Sequence, residues 1–177
     1  MAYCTQTLNG ITLDCGNSMG GIKRVFIANY GDIETVSVSG DMVTGITMDS
    51  GAKFKSYQFR KNTSNMTSTL TADETTGLNY VTTEVNLVFT KMETSKRIEM
   101  AALAQAQLAV IVEDSNGVFW YVTKDEYAAA SAGSAETGTS KGDRSAYTLT
   151  LTSENLSFPY EISRETVEGL VDGGLSY

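Results

Sequence analysis

The sequence contains no histidine, one proline and two cysteines among its 177 residues. Without histidine the chain lacks the commonest general base, every Ser-His-Asp or Cys-His arrangement and the imidazole ligands of most metal sites. Two cysteines cannot complete a four-ligand zinc site within one chain. Enzymatic activity is therefore disfavoured, and we expect no catalytic residue, no metal and no cofactor.

Basic residues are also scarce: 13 Lys and Arg stand against 21 Asp and Glu, which gives a net charge of −8. Proteins that bind nucleic acid neutralise phosphates with clustered Lys and Arg, so specific DNA binding is disfavoured. No apolar run approaches the roughly 20 residues of a membrane-spanning helix. Residues 1–7 have neither the positive charge nor the apolar run of a secretory signal. We expect a protein made in a cytoplasm, with no membrane partner.

Cys4 and Cys15 lie in residues 1–21, which we expect to form an N-terminal arm. Asn9-Gly10 between them is typical of a turn flanked by short arms, Thr5–Leu8 and Ile11–Leu13. A disulfide is therefore geometrically possible, whereas a reducing cytoplasm favours two free thiols. The sequence leaves the state of the cysteines open.

Threonine, serine, glycine, valine and tyrosine are abundant, which favours β-structure. The clearest alternation of apolar and polar residues runs from Tyr80 to Phe89, and a second runs from Ser145 to Ser153. Such alternation predicts strands with one face against a core and one against water. The polar faces carry Thr82, Glu84, Asn86, Thr148, Thr150 and Thr152.

One helix is predicted from Met92 to Gln107, because this segment is rich in good helix formers. Thr90 and Glu93 have the spacing of a capping box. The packing face is expected to be Ile98, Ala101, Ala102 and Gln105.

A hairpin is predicted after the helix, with strands Leu108–Glu113 and Val118–Val122 joined by the turn Asp114-Ser115-Asn116-Gly117. Because successive side chains of a strand point to opposite faces, Phe119 and Tyr121 lie on the face opposite Trp120, which favours a core position for both.

Two segments stand out by composition. Residues 128–144 are mostly Ala, Ser, Gly and Thr and are predicted to be a flexible loop. Residues 154–177 hold five acidic residues against Arg164 alone and are expected to be an acidic C-terminal segment. Neither resembles a linker, so residues 1–177 are predicted to form one β-rich domain.

The predicted strands are long and almost free of proline. Sheet edges are normally protected by proline, bulges or charge, or are removed by closure. The chain therefore closes its own barrel or pairs its edges with other copies of itself, which makes a closed ring. In a ring, the polar strand faces would line a shared water-filled lumen.

In its order of parts the chain resembles the tail tube proteins of long-tailed phages and the inner tubes of contractile injection systems. The resemblance covers roughly residues 22–162. It rests on the alternating strand Tyr80–Phe89, the helix Met92–Gln107, the hairpin Leu108–Val122, the Gly/Ser loop and the late strand Ala146-Tyr147-Thr148-Leu149-Thr150-Leu151-Thr152.

This resemblance implies a β-barrel or sandwich with a flanking helix, assembled into stacked hexameric rings in a virion tail. Its partners would be other copies of the chain and other tail proteins. Genomic DNA would pass without specific binding, since an acidic wall does not retain phosphate. Glu84 and some of the C-terminal acids are expected to contribute to that wall.

Lys53, Lys55, Arg60 and Lys61 form a basic cluster on a predicted long hairpin, Lys53–Ala72. They are either a solvated strand face or a contact with an acidic surface on a neighbouring subunit or ring.

Other functions stay open on sequence alone. They are another phage structural role (capsid decoration, connector or tail completion), an effector tube of an injection system, or a carbohydrate- or ligand-binding module that uses Trp120 or the Tyr57–Phe59 strand.

Overall fold

The computed structural model describes residues 5–175, which contain eleven strands, two α-helices and a 3-10 turn at Tyr30–Asp32. The mainly-β prediction is confirmed, but the prediction of a single helix is wrong. The strands are β1 (Ile22–Asn29), β2 (Ile33–Ser39), β3 (Met42–Met48), β4 (Lys55–Gln58), β5 (Asn65–Asp73), β6 (Leu78–Thr90), β7 (Leu108–Asp114), β8 (Phe119–Tyr121), β9 (Ala129–Glu136), β10 (Ala146–Asn155) and β11 (Tyr160–Ile162), and the helices are α1 (Thr94–Gln105) and α2 (Arg164–Leu170).

The larger sheet has seven strands in the order β2-β3-β11-β8-β7-β1-β4. Its central strands β1 and β7 are buried on both faces, and the first six residues of β7 are all buried. Strand β11 is short but central, because it pairs in parallel with β3 and antiparallel with β8. It therefore joins the β2–β3 hairpin to the rest of the sheet.

The smaller sheet has four antiparallel strands in the order β5-β6-β10-β9. One face packs on the larger sheet through a core that includes Val85 and Leu87 of β6 and Leu149 and Leu151 of β10. A second core lies on the other face of the larger sheet, where α2 covers Phe26, Ile111 and Tyr121. Phe119 and Tyr121 belong to this core, as predicted.

A closed barrel is not formed within residues 5–175, so the barrel part of the fold prediction is wrong for the isolated chain. Strands β2 and β4 remain at the edges of the larger sheet, and β5 and β9 remain at the edges of the smaller one. The two sheets share a core instead of joining edge to edge.

Helix α1 lies within the predicted limits, but its start and its packing face differ from the prediction. Thr90 is the last residue of β6, and Glu93 at the N-cap makes no side-chain capping bond. Instead, Lys96 Nζ donates to the carbonyl oxygen of Thr90 at 2.7 Å. Leu103 is the buried residue, while Ile98 is 58% exposed. The face of the helix that packs on the core carries Leu103 and Met100 instead.

The acidic C-terminal segment, for which no element is predicted from the sequence, contributes β11 and α2 to the fold. Ser163 caps α2 by accepting from the backbone N–H of Thr166 at 3.3 Å. Val167 and Val171, four residues apart, enter the second core.

The prediction of a flexible loop over residues 128–144 is wrong for about half of that length. Strand β9 occupies Ala129–Glu136 and pairs with β10. Small residues have low β-propensity, but the free edge of β10 offers backbone partners that override it. The loop that remains is organised by Asp143, whose Oδ2 accepts from the N–H groups of Thr139 and Ser140 at 2.8 and 2.7 Å.

Residues 5–21 contain no helix and no strand, and their side chains are exposed. The two arms predicted on either side of Asn9-Gly10 therefore do not form strands. Cys15 is an exposed free cysteine, whereas Cys4 lies outside the described residues, so the pairing of the two stays a prediction.

Candidate assembly surfaces

The six residues predicted to line a lumen lie together on the outer face of the four-stranded sheet. Register pairs Thr150 with Asn86 and Thr152 with Glu84, while Glu154 lies opposite Thr82. These side chains are exposed or half-buried, whereas alternate residues of the same strands are buried. The predicted polar face is thus formed by two neighbouring strands, in the predicted alternation.

The edge strands extend this polar face. On β5, Thr67 lies opposite Glu84 and Thr69 opposite Thr82. On β9, Ser131 Oγ accepts from Thr152 Oγ1 at 2.8 Å. Neither the β5 threonines nor Ser131 are among the residues predicted to line a lumen, although the alternate spacing of threonines in β5 is a signal for such a face.

All charge on the four-stranded sheet is negative. Strands β5, β6, β9 and β10 contain no Lys or Arg. Their acidic residues are Asp73, Glu84, Glu136 and Glu154. Of the C-terminal acids, Glu154 therefore lies on this sheet, whereas Glu161 is on β11 and Glu165 and Glu168 are in α2.

The edges of the four-stranded sheet lack the usual protection against pairing with another chain. Strand β5 pairs with β6 in unbroken register over nine residues and has no proline and no charge before Asp73. Strand β9 has one register shift and no charge before Glu136. Exposed, uncharged edges of this length are templates for a further strand.

The edges of the seven-stranded sheet are better protected. Strand β2 carries Glu34 and two register shifts against β3. Strand β4 has four residues and is flanked by charged groups. Bulges, charge and short length all disfavour pairing with another chain, so the four-stranded sheet offers the better edges.

The basic residues do not form one cluster on a long hairpin, because β4 and β5 belong to different sheets. Lys53 Nζ donates to the carbonyl oxygen of Gly169 at 2.6 Å, and Lys55 forms an ion pair with Asp172. The Lys55 ammonium group lowers the pKa of Asp172, mainly through this hydrogen bond. The first two basic residues therefore contact the C-terminal segment of their own chain.

Arg60 and Lys61 lie beyond the other end of β4, in an exposed turn. Asn62 in this turn has φ of 61°, and Thr63 Oγ1 donates to the carbonyl oxygen of Arg60 at 2.7 Å. Among the described residues neither Arg60 nor Lys61 forms an ion pair.

The aromatic residues considered for ligand binding are engaged within the protein. The rings of Tyr57 and Phe59 pack against Phe89, with centroids 6.1 and 5.3 Å away. Burial, and then the hydrogen bond to Glu99, raises the pKa of Tyr57. Trp120 Nε1 donates to Asp114 Oδ2 at 3.2 Å.

Residues 5–175 offer neither a metal-binding cluster nor a membrane-spanning helix. No group of three or more His, Cys, Asp or Glu side chains is arranged to hold a metal ion. Neither helix in this range has the length and apolarity that crossing a membrane requires.

Comparison of the chain with protein-family models, with curated proteins and with solved structures gives no match.

Proposed function

We propose that the chain is a structural subunit that assembles into rings through the edges of its four-stranded sheet, and that stacked rings form the tube of a phage tail. The observation that carries the proposal is the combination of two edge strands, β5 and β9, whose only charges are Asp73 and Glu136 at their ends, with a polar outer face free of Lys and Arg. The resemblance to tail tube proteins supplies the hexamer and the virion setting.

Strand direction supports closure into a ring. Neighbouring strands in the order β5-β6-β10-β9 are all antiparallel, so β5 and β9 run in opposite directions. When copies are related by rotation about one axis, β9 of one copy meets β5 of the next antiparallel. The sheet then continues across each boundary without a break in its pattern, and no edge is left exposed.

The size of such a ring suits a conduit. Six copies of a four-stranded sheet give roughly 24 strands, and barrels of about 16–18 strands already enclose a water-filled channel. Packing of Leu87 and Leu149 on the seven-stranded sheet fixes the apolar face on the outside. The threonine-rich face then lines the channel.

The charge of that face supports passage of DNA without binding. At physiological salt a surface charge acts over about 8 Å, so the carboxylates of Glu84 and Glu154 act only if they lie on the wall itself. A wall with acidic and hydroxyl groups has no Lys or Arg to replace the counter-ions around the DNA phosphates, so it does not retain DNA.

The test is assembly of the purified full chain, followed by native mass measurement and negative-stain microscopy. We expect species of about six times the 19.0 kDa chain mass, and stacks with a central channel. A monomer at high concentration under all conditions would contradict the proposal. Another phage structural role, such as decoration of a capsid, would give small particles without tubes.

Edge variants make the test specific. Thr69→Lys on β5 with Ala132→Lys on β9 places like charges on both edges, and we expect it to block ring formation. Ser37→Lys on β2 is the matched control, since it adds a cation to an exposed edge of the other sheet. Equal loss of rings in both variants would count against the assignment of β5 and β9.

A further inference from the structure

Two features of opposite charge lie at opposite ends of the molecule. The first, the basic turn, consists of residues 59–63 and presents Arg60 and Lys61. The second, the acidic groove, has a volume of about 440 Å³ and is lined by Leu78, Tyr80, Asp125, Glu126, Glu154 and Leu156.

Strand β1 separates the two. The basic turn follows β4, whose Gln58 pairs with Arg24 near the start of β1. The acidic groove contains Asp125, whose carbonyl oxygen accepts from Tyr30 Oη directly after the end of β1. The eight residues of β1, at about 3.4 Å each, place the features on the order of 25 Å apart along the strand direction.

The groove keeps unbalanced negative charge. Lys124 forms an ion pair with Asp125 at 3.1 Å, but among the described residues no cation pairs with Glu126 or Glu154. Apolar surface borders these carboxylates, because Leu78 is 56% and Leu156 is 73% exposed.

The basic turn is pre-organised. The Thr63 hydroxyl bond to Arg60 and the left-handed conformation of Asn62 hold it before any contact is made. A rigid loop loses less conformational entropy on binding than a flexible one.

We propose that the basic turn of one copy enters the acidic groove of the next copy along the tube axis. This inference rests on the proposed function, because it assigns the contact between rings, whereas β5 and β9 make the contact within a ring. A contact between two different surfaces repeats without limit when rotation does not close it. Charge complementarity fixes its direction, so every ring faces the same way.

The experiment uses charge reversal in the full chain. Lys61→Glu and Glu126→Lys are each expected to leave rings intact by native mass and to lower the fraction of rings in stacks roughly tenfold, because like charges then face each other. The double variant Lys61→Glu/Glu126→Lys restores opposite charges and is expected to recover stacking. Arg97→Glu, an exposed reversal on α1, is the matched control.

The outcomes separate the two proposals. Normal stacking by Lys61→Glu, or a double variant that stacks as poorly as the single ones, would overturn the inference and leave the ring proposal standing. Linear oligomers without rings, abolished by Lys61→Glu, would overturn the ring proposal and support the inference. Absence of any self-association by the wild-type chain would overturn both.

Discussion

Arg24 and Glu113 lie opposite each other on β1 and β7 and form an ion pair inside the protein. Arg24 is 4% and Glu113 is 1% exposed. The Arg24 guanidinium also lies 5.5 Å from the centre of the Phe26 ring. The two charges thus sit at the end of the second core, next to the hairpin turn that follows β7.

Removing one charge of this pair is expected to be costly. Glu113→Ala removes the buried carboxylate that pairs with both Arg24 and Lys23, and we expect the free energy of unfolding to fall by about 3–5 kcal/mol. Urea denaturation followed by circular dichroism measures this change.

The matched variant Arg24→Met/Glu113→Leu removes both charges and keeps the volume. Apolar replacement of a buried ion pair is often neutral, so this variant should be within about 2 kcal/mol of the wild type. If the double variant were less stable than Glu113→Ala, the loss of stability in Glu113→Ala could not be assigned to a buried charge that has lost this carboxylate.

Glu84→Lys tests the acidic wall. A lysine at this position would place a cation beside Thr152 and Thr67 on the polar face, where it would attract phosphate. We expect tubes of this variant to retain DNA at low salt and release it as salt rises. Glu161→Lys makes the same charge change on β11, in the other sheet, and should retain none; unchanged DNA passage in Glu84→Lys would argue against a lumen position.

Gly138 is expected to tolerate no side chain. It has φ of 73°, and an added Cβ would lie 2.4 Å from Asp143 Cβ. We expect Gly138→Ala to lower stability by about 1–3 kcal/mol, measured by thermal unfolding. Gly142→Ala in the same loop is the control, since its Cβ would meet nothing closer than Ser140 Oγ at 4.0 Å.

Asp143 makes this loop sensitive to strong acid. Hydrogen bonds from the backbone of Ser140 and then Thr139 lower the pKa of Asp143 to about 2, below the roughly 3.9 of an unfolded aspartate. The stabilisation is therefore present above the unfolded pKa and is lost as pH falls through about 2. We expect the protection of the Thr139 and Ser140 amides against hydrogen exchange, relative to an unfolded peptide at the same pH, to fall in that range, and to be low at every pH in Asp143→Asn.

Lys53 and Lys55 remain predicted to act in assembly. Reversal of both to Glu is expected to weaken tubes in a salt-dependent manner. Asp172→Asn is the control, because it removes the internal partner of Lys55 without changing the lysines. Both side chains of the Lys55–Asp172 pair are exposed, so the pair contributes little to folding. Loss of tubes in the lysine variant alone would therefore support a contact between copies, and equal loss in both variants would place the effect within the chain.

The elements predicted correctly are those in which local pattern and tertiary packing agree. The alternation around Glu84 and Thr150 placed both residues on one face, because each strand has one core side. The turn before Val118 formed as predicted, with Gly117 at φ of 84°. Both signals depend on residues close together in sequence.

The errors lie where partners distant in sequence decide the structure. Strand β9 forms because β10 has a free edge. The Ala and Ser residues of β9 give no local signal for a strand. The separation of β4 from β5 depends on which sheet each strand joins, and alternation cannot specify that choice. Helix α2 did have a local signal, since Ser163 and Thr166 mark a cap and Val167 and Val171 mark one face.

The position of β11 bears on how the protein is synthesised. Residues Tyr160–Ile162 fill the gap between β3 and β8, yet ribosomes make them after all ten other strands of the described residues. Until they emerge, the β2–β3 hairpin has no place in the sheet and the nascent chain cannot complete its fold. Products truncated before this point should be degraded, so that only copies carrying these residues would reach the proposed assembly.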